Sequence, residues 1–393
     1  MFKRLIYYLK PDIIRKGMSY LKNVRKVLCL CFVIVAVFLA GTVYAQRTVR
    51  VYVNGMRVEE ETLLHNDRTF IPLRAVSEAL GAEVTWDGDT YSAFINFTED
   101  DAIAKVVETV SPSVVTIIGN AISNSASAQY NTPTAHGSGV IYKSNGHILT
   151  NAHVVQGIKN ITVVLNNGES YPAKVLYSDE LADIAIVKIE KLGLTPISFA
   201  DPATVISGKT VIAIGTPISL SMRNSVTKGI ISGVDVSLEG SHYKILQTDA
   251  SINPGNSGGP LLNVRGELVG LNSSKYASVM IDNMSFSIPV ETLKFAISQF
   301  ETYGGIIRPA IDFTLEQSWE AKIGLPTSKG LTVRSSTDAS ILAGDVITAL
   351  GGIEVHSISD WNEAVKKTYN PSTKALDISY IRNGMASSTT IYK

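Results

Sequence analysis

"INPGNSGGPLLN", residues 252–263, decides how this chain reads. Apolar residues flank three glycines, two prolines and a single hydroxyl, that of Ser257. Glycine and proline cost a strand its ladder and its packing, so their concentration here marks a sharp bend built around one serine. "GNSGG" fits two catalytic templates. The Gly-x-Ser-x-Gly elbow needs a strand before the serine, a helix after it, and an acid and a histidine later in the chain. Here "GGPLLNVRGELVGL" follows, which reads strand, turn, strand, and the only later histidine is His356, in what reads as another domain. The second template is the order His, Asp, Ser on β-barrels. "LTNAHVV" supplies His153 at the end of an apolar strand, and "LADIAIVKI" supplies Asp183 as the one acid leading an apolar run. A buried carboxylate costs free energy unless it accepts hydrogen bonds, and an imidazole N–H supplies one. Spacings of 30 and 74 residues let one barrel carry His153 and Asp183 and a second carry Ser257. Each residue alone is ordinary, since a serine in a glycine-rich turn is most often just a turn. Their order and their settings carry the argument. His136 and His147 compete for the histidine role and read as turn or loop residues.

The surroundings agree with a β-rich setting. From about Ala102 a short helix and a Ser-Pro break lead into a strand, and residues 120–135 read as a polar, mobile loop. Short apolar runs then follow one another between turns: "GSGVIY", "ITVVL", "YPAKVLY", "TVIAIG", "GIISGV", "YKILQTD", "ELVGLNS" and "MSFSIPV". Such spacing predicts an all-β barrel or sandwich. Helical periodicity returns in "VETLKFAISQF", where Val290, Leu293, Ile297 and Phe300 share a face.

Length and charge bound the rest. The chain has 393 residues, compatible with two to four domains. Its net charge of zero hides an asymmetry: residues 1–26 hold eight Lys or Arg against one acid, Asp12, and the remainder has 27 basic against 34 acidic residues. That remainder offers no basic face, so nucleic acid is excluded as a default partner. Residues 27–45 form a 19-residue run without a charge, about the length that spans a bilayer. The Lys and Arg before it assign a basic tail, 1–26, to the cytoplasm and everything after about Gln46 to the outside. A cleaved signal peptide is the rival reading, because "VYA" precedes Gln46, but the leader is long for one. The predicted location is therefore the cell membrane, single-pass, with the body of the chain extracytoplasmic. Both cysteines, Cys29 and Cys31, lie in this run, so no disulfide staples the exported part.

Residues 46–98 read as a small α+β module: an Asn-Gly hairpin in "VRVYVNG", a short helix in "LRAVSEAL" stopped by Gly81, then two strands broken by "DGD". Over residues 48–98 it resembles the copper amine oxidase N-terminal domain. Its one histidine, His65, and its lack of cysteine assemble no transition-metal site.

"TNAHVV", "DIAIVK" and "NPGNSGGPL" together closely resemble the HtrA/DegP serine proteases, and the resemblance runs from about Ala102 to Lys393. It implies a mainly β fold: a two-barrel chymotrypsin-like protease domain at 99–301 and a PDZ domain at 302–393, carried by "LAGDVITALGGIEV" and the capped helix "SISDWNEAVKK". It implies His153 as general base, Asp183 as its orienting acid, Ser257 as nucleophile, and the N–H groups of Gly255 and Ser257 as an oxyanion hole. Ser251, Lys275 and Ser285 would shape a pocket for small uncharged side chains. Lys275 and Ser285 replace the apolar residue and the glycine usual in the family. "RPAIDF", with Arg308, Asp312 and Phe313, would be the PDZ loop that takes a peptide carboxylate, Asp312 standing where glycine is usual. The resemblance implies no metal and no cofactor, unfolded proteins as substrates, and a homotrimer. The competing class is a non-catalytic chaperone or scaffold that keeps the barrels for binding; an intact His, Asp, Ser set argues against it.

Overall fold

The computed structural model describes residues 49–393 apart from 54–55, 61, 66, 97–98, 122–133, 239 and 277–282. The basic leader, the apolar run 27–45 with its two cysteines and most of the polar loop 120–135 lie outside the described residues. No helix among the described residues is long and apolar enough to cross a membrane. The chain divides into two compact units, Met1–Phe97 and Thr98–Lys393.

The described residues of the first unit form paired strands β1 (Val51–Val53) with β2 (Met56–Val58), β3 (Leu63–His65) with β4 (Arg68–Phe70), and β5 (Glu83–Asp87) with β6 (Ser92–Asn96), around helix α1 (Leu73–Ala79). The "DGD" turn is closed by Asp87, whose carboxylate accepts the N–H groups of Asp89 and Thr90 and the Thr90 hydroxyl. That side-chain turn is why the acid stands there.

The second unit opens with α2 (Glu99–Val110), stopped at Ser111-Pro112. Strands β7 (Val114–Ala121), β8 (Thr134–Lys143), β9 (His147–Thr150), β10 (Ile158–Val164), β11 (Ser170–Asp179) and β12 (Ile184–Ile189) close into one barrel, in the order β7-β10-β11-β12-β9-β8. A one-turn helix, α3 (Ala152–Val155), follows β9. Strands β13 (Thr210–Gly215), β14 (Ser225–Val236), β15 (Ile245–Thr248), β16 (Pro260–Leu262), β17 (Leu268–Ser273) and β18 (Ser285–Pro289) close the second barrel, in the order β13-β14-β15-β18-β17-β16. Closure leaves neither sheet a free edge.

The barrels share a core. Ile184 and Ile186 of β12 meet Ile212, Leu262 and Leu271 of the second barrel, while Ala185, Val187 and Ile189 turn inward against Ile117, Ile148 and Val163. Both faces of β12 are buried, which explains a run of apolar residues without alternation. Helix α4 (Val290–Tyr303) seals this core with Leu293 and Ala296 and ends at Gly304, whose φ of 76° supplies the left-handed cap.

Beyond it, β19 (Phe313–Glu316), β20 (Leu331–Ser336), β21 (Val346–Leu350), β23 (Ala375–Arg382) and β24 (Met385–Tyr392) form a sheet in that order, with β22 (Ile353–Glu354) paired to β21. A short helix, α5 (Trp319–Lys322), follows β19, and α6 (Ile358–Thr368) covers the sheet through Trp361, its start fixed by a Ser357–Asp360 capping box.

Two local expectations change. His136 and His147 are not loop residues: the first pairs with Ile118 inside β8 and the second opens β9. His153 is not the end of a strand but sits on α3, one turn past β9.

Candidate active site

His153, Asp183 and Ser257 come from three elements. Helix α3 carries His153, the residue before β12 is Asp183, and the bend between β15 and β16 carries Ser257. The His153 Nδ1 lies 2.9 Å from Asp183 Oδ1 and 3.0 Å from Oδ2. A carboxylate only accepts, so Nδ1 carries the hydrogen and Nε2 keeps the basic lone pair. Asp183 is 1% exposed, and three further donors hold it. The His153 N–H reaches Oδ1 at 3.2 Å, the Ser273 hydroxyl reaches Oδ2 at 2.9 Å, and the Asn151 amide donates to its main-chain carbonyl at 3.0 Å. Asp183 has a φ of 55°, an unusual conformation for a residue other than glycine, and the Asn151 bond pins it there. A buried anion with this many donors has the hydrogen bonds its burial requires.

The bend at 252–259 is clamped to the first barrel by Ser138 of β8. The Ser138 N–H donates to the Ser257 carbonyl at 2.8 Å, its hydroxyl donates to the Gly255 carbonyl at 2.8 Å, and the same oxygen accepts the Thr216 N–H at 3.0 Å. Gly255 has a φ of 102°, and a Cβ there would lie 2.1 Å from the Thr216 carbonyl oxygen. Gly258 has a φ of 83°, and a Cβ there would lie 2.1 Å from the Ser138 carbonyl oxygen. Only glycine meets both conditions. The N–H groups of Asn256 and Gly259 donate within the bend, to the Asn253 and Asn256 carbonyls, and that of Gly258 donates to the Asn272 carbonyl of β17. Those of Gly255 and Ser257 have no acceptor among the described residues.

The Ser257 hydroxyl is not bonded to His153. Its oxygen lies 2.7 Å from the Ser274 hydroxyl and accepts the Ser274 N–H at 3.0 Å, and the residue is 2% exposed. His153 opens instead onto a cavity of about 440 Å³ lined by Leu181, Lys275 and His242 from the barrels and by Ile358 and Asn362 of α6. Burial, with Arg308 behind it, pushes the His242 imidazole down to about 4, so it stays neutral near neutral pH. Among the described hydrogen bonds it makes no contact with a carboxylate of the kind His153 has.

The Ser285 hydroxyl accepts the Ile252 N–H at 3.2 Å, beside an exposed Ser251, whereas Lys275 faces the cavity with His153. The three residues of "RPAIDF" are also engaged elsewhere. Arg308 forms a bidentate pair with Asp179 of β11 at 2.7 and 2.9 Å, stacked near Tyr243. Phe313 is core, against Trp361. The Asp312 carboxylate binds the Lys393 ammonium at 2.5 Å, so its charge is compensated. Arg308 thus ties this segment to the first barrel. Ser138 and Ser273 in strands, Asn151 at the cap of α3 and Ser274 in the turn after β17 escaped the sequence reading, since a lone hydroxyl or amide has no pattern to reveal it.

Comparison with known proteins agrees with this architecture. Residues 137–271 match the trypsin-like peptidase domain family. Residues 50–125 match the copper amine oxidase N-terminal domain, a match that runs past the first unit into β7. The chain is 34% identical over 322 residues to serine protease Do-like HtrA of Bacillus subtilis (strain 168), covering 73% of this chain and 72% of that protein. It is 30% identical over 336 residues to serine protease Do-like HtrA of Lactococcus lactis subsp. lactis (strain IL1403), covering 74% and 82%. Among solved structures, the HtrA-type protease AlgW with tripeptide is similar at a TM-score of 0.60 and 27% identity, over 74% of this chain and 95% of that one. The serine endoprotease from Yersinia pestis gives 0.57 and 29%, over 74% and 96%. On these grounds the chain belongs to the HtrA/DegP family of trypsin-fold serine proteases and is a serine endopeptidase.

Proposed function

We propose that Ser257 is the nucleophile of this endopeptidase, His153 its general base and Asp183 the group that orients the imidazole. The observation that carries this is the Asp183 carboxylate, buried and bonded through both oxygens to His153 Nδ1, which leaves Nε2 to take the serine proton. Ser257 Oγ attacks the scissile carbonyl while its proton passes to His153 Nε2. The oxyanion accepts the two N–H groups that the bend leaves without acceptors, those of Gly255 and Ser257. His153 then gives the proton to the departing amine, and water repeats the sequence to release the acyl group. Donors fixed by a rigid bend are each worth about 3–4 kcal/mol in the transition state.

Exposed, unfolded or mislocalised chain is the substrate class in this reading. Of the residues expected to shape the specificity pocket, Ser251 and Ser285 are uncharged and Lys275 is a cation, so none of them offers an anion to select Lys or Arg. The C-terminal sheet is read as a PDZ module that takes a peptide along β19, whose outer edge is unpaired among the described strands. The leader's eight basic residues and the uncharged run 27–45 support an anchor that holds the catalytic unit on the extracytoplasmic side of the membrane.

The test is degradation of casein by the purified full-length chain beside Ser257→Ala. The wild type is expected to degrade it and the variant to lose several orders of magnitude in rate. Equal rates in both would sink the assignment, and inactivity of both would favour a binding role for the barrels.

A further inference from the structure

We infer that Ser274 is a positioning residue that holds the Ser257 hydroxyl in a resting place away from His153. This rests on the reading of Ser257 as nucleophile. The two residues meet through two hydrogen bonds: the Ser274 N–H donates to Ser257 Oγ at 3.0 Å, and the two hydroxyl oxygens lie 2.7 Å apart. Whichever hydroxyl donates, Ser257 loses something that attack requires. If Ser257 donates, its proton points to Ser274 instead of His153 Nε2. If Ser274 donates, two donors cap the lone pairs that would form the new bond.

The arrangement is confined to one side chain. The main chain around Ser257 is fixed by the Ser138 N–H on its carbonyl at 2.8 Å and by the Gly258 N–H on the Asn272 carbonyl at 2.9 Å. Ser273, next to Ser274, is fixed by its bond to Asp183. His153 and Asp183 are already paired. Release therefore begins with a rotation about the Ser257 Cα–Cβ bond. Ser274 thereby sets how much of the enzyme is poised at rest. It acts through Ser257 and contributes nothing to the chemical step itself.

The experiment measures acylation of the full-length protein by a small alkyl fluorophosphonate. Ser257 Oγ forms the O–P bond, the P–F bond breaks, fluoride leaves and the serine proton passes to His153. Peptide mass mapping identifies the residue labelled. Ser274→Ala removes one of the two bonds, and a neutral hydrogen bond of ordinary strength corresponds to about a 2- to 10-fold gain in labelling rate. Ser274→Thr keeps the hydroxyl and is expected to label at the wild-type rate, a rescue that general loosening of the segment would not give. Thermal melting accompanies each variant, and Ser274→Gly, lacking the same hydroxyl, carries the test if the alanine variant melts early. Labelling of Ser257 at an unchanged or lower rate in the hydroxyl-free variant overturns the inference while leaving the nucleophile assignment intact. Label found elsewhere than on Ser257 overturns that assignment instead.

Discussion

Removing the Ser138 hydroxyl tests whether the first barrel builds the oxyanion site of the second. Ser138 is fully buried, and its hydroxyl oxygen both donates to the Gly255 carbonyl and accepts the Thr216 N–H. Ser138→Ala leaves one buried acceptor and one buried donor unmatched, each costing about 1–3 kcal/mol, so the pair costs roughly 2–6 kcal/mol. In a unit of this size that is a fall in melting temperature of about 5–15 °C. The Gly255 peptide loses its anchor on one side, while the Ser138 main-chain bond to Ser257 remains. The Gly255 N–H should then wander from its aim. Full loss of one oxyanion donor costs about 100- to 1,000-fold in rate, and partial misplacement about 10- to 100-fold on the same scale. The assay is hydrolysis of a fluorogenic peptide at saturating concentration, with calorimetry on the same preparations. A fall in kcat with little change in KM is expected. A variant that melts at the expected lower temperature and keeps full kcat would show that the bend holds its geometry without the clamp, and the coupling argued between the barrels would fail.

Two other perturbations read the C-terminal portion of the chain. Burial alone would raise the Asp179 carboxyl, but the Arg308 guanidinium and the Ala182 N–H outweigh it and hold it below its ordinary value. The stability that this pair contributes is therefore present above the unfolded carboxyl value near 3.9 and is lost as pH falls through the lower folded value. Urea titrations between pH 5 and about 2 are expected to show that loss in the wild type and not in Asp179→Asn; parallel curves would refute it. The Lys393 ammonium bridges Asp312 and Asp338, so Asp312→Gly is expected to bring no gain in affinity for a hydrophobic peptide with a free C-terminus. Lys393→Ala should weaken that peptide and spare its amidated form, as calorimetry on the intact chain at low salt would show.

The His153, Asp183 and Ser257 set that we propose as catalytic was legible because each member stands in a distinctive local setting. Gly255 and Gly258 are required by contacts under 2.5 Å from a would-be Cβ to main-chain oxygens, and such demands surface in sequence as a glycine cluster. Asp183 announced itself as an acid at the head of a run whose next six residues all lie in β12. What supports the constellation was not legible. Ser273 reaches Asp183 across 90 residues, and Ser138 reaches Gly255 across 117. Those bonds depend on strand register in two closed barrels, and register leaves no mark on a single hydroxyl.

The misread histidines make the same point from the other side. His136 looked like a loop residue because glycines follow it, yet those glycines permit close packing. A Cβ on Gly137 would lie 2.6 Å from Val154, and one on Gly139 would lie 2.7 Å from Ile148. Glycine inside a strand signals a close neighbour as readily as a turn. Here the close neighbours are the helix that carries His153 and the strand that leads to it. The charge balance at Asp312 was hidden for a related reason. Its partner is the last residue of the chain, 81 positions away, and the local pattern around "RPAIDF" contains no cation to hint at it except Arg308, which is committed to Asp179. A charge that departs from a family pattern is informative only together with the charge that the fold sets against it, and only the folded chain brings Lys393 to Asp312.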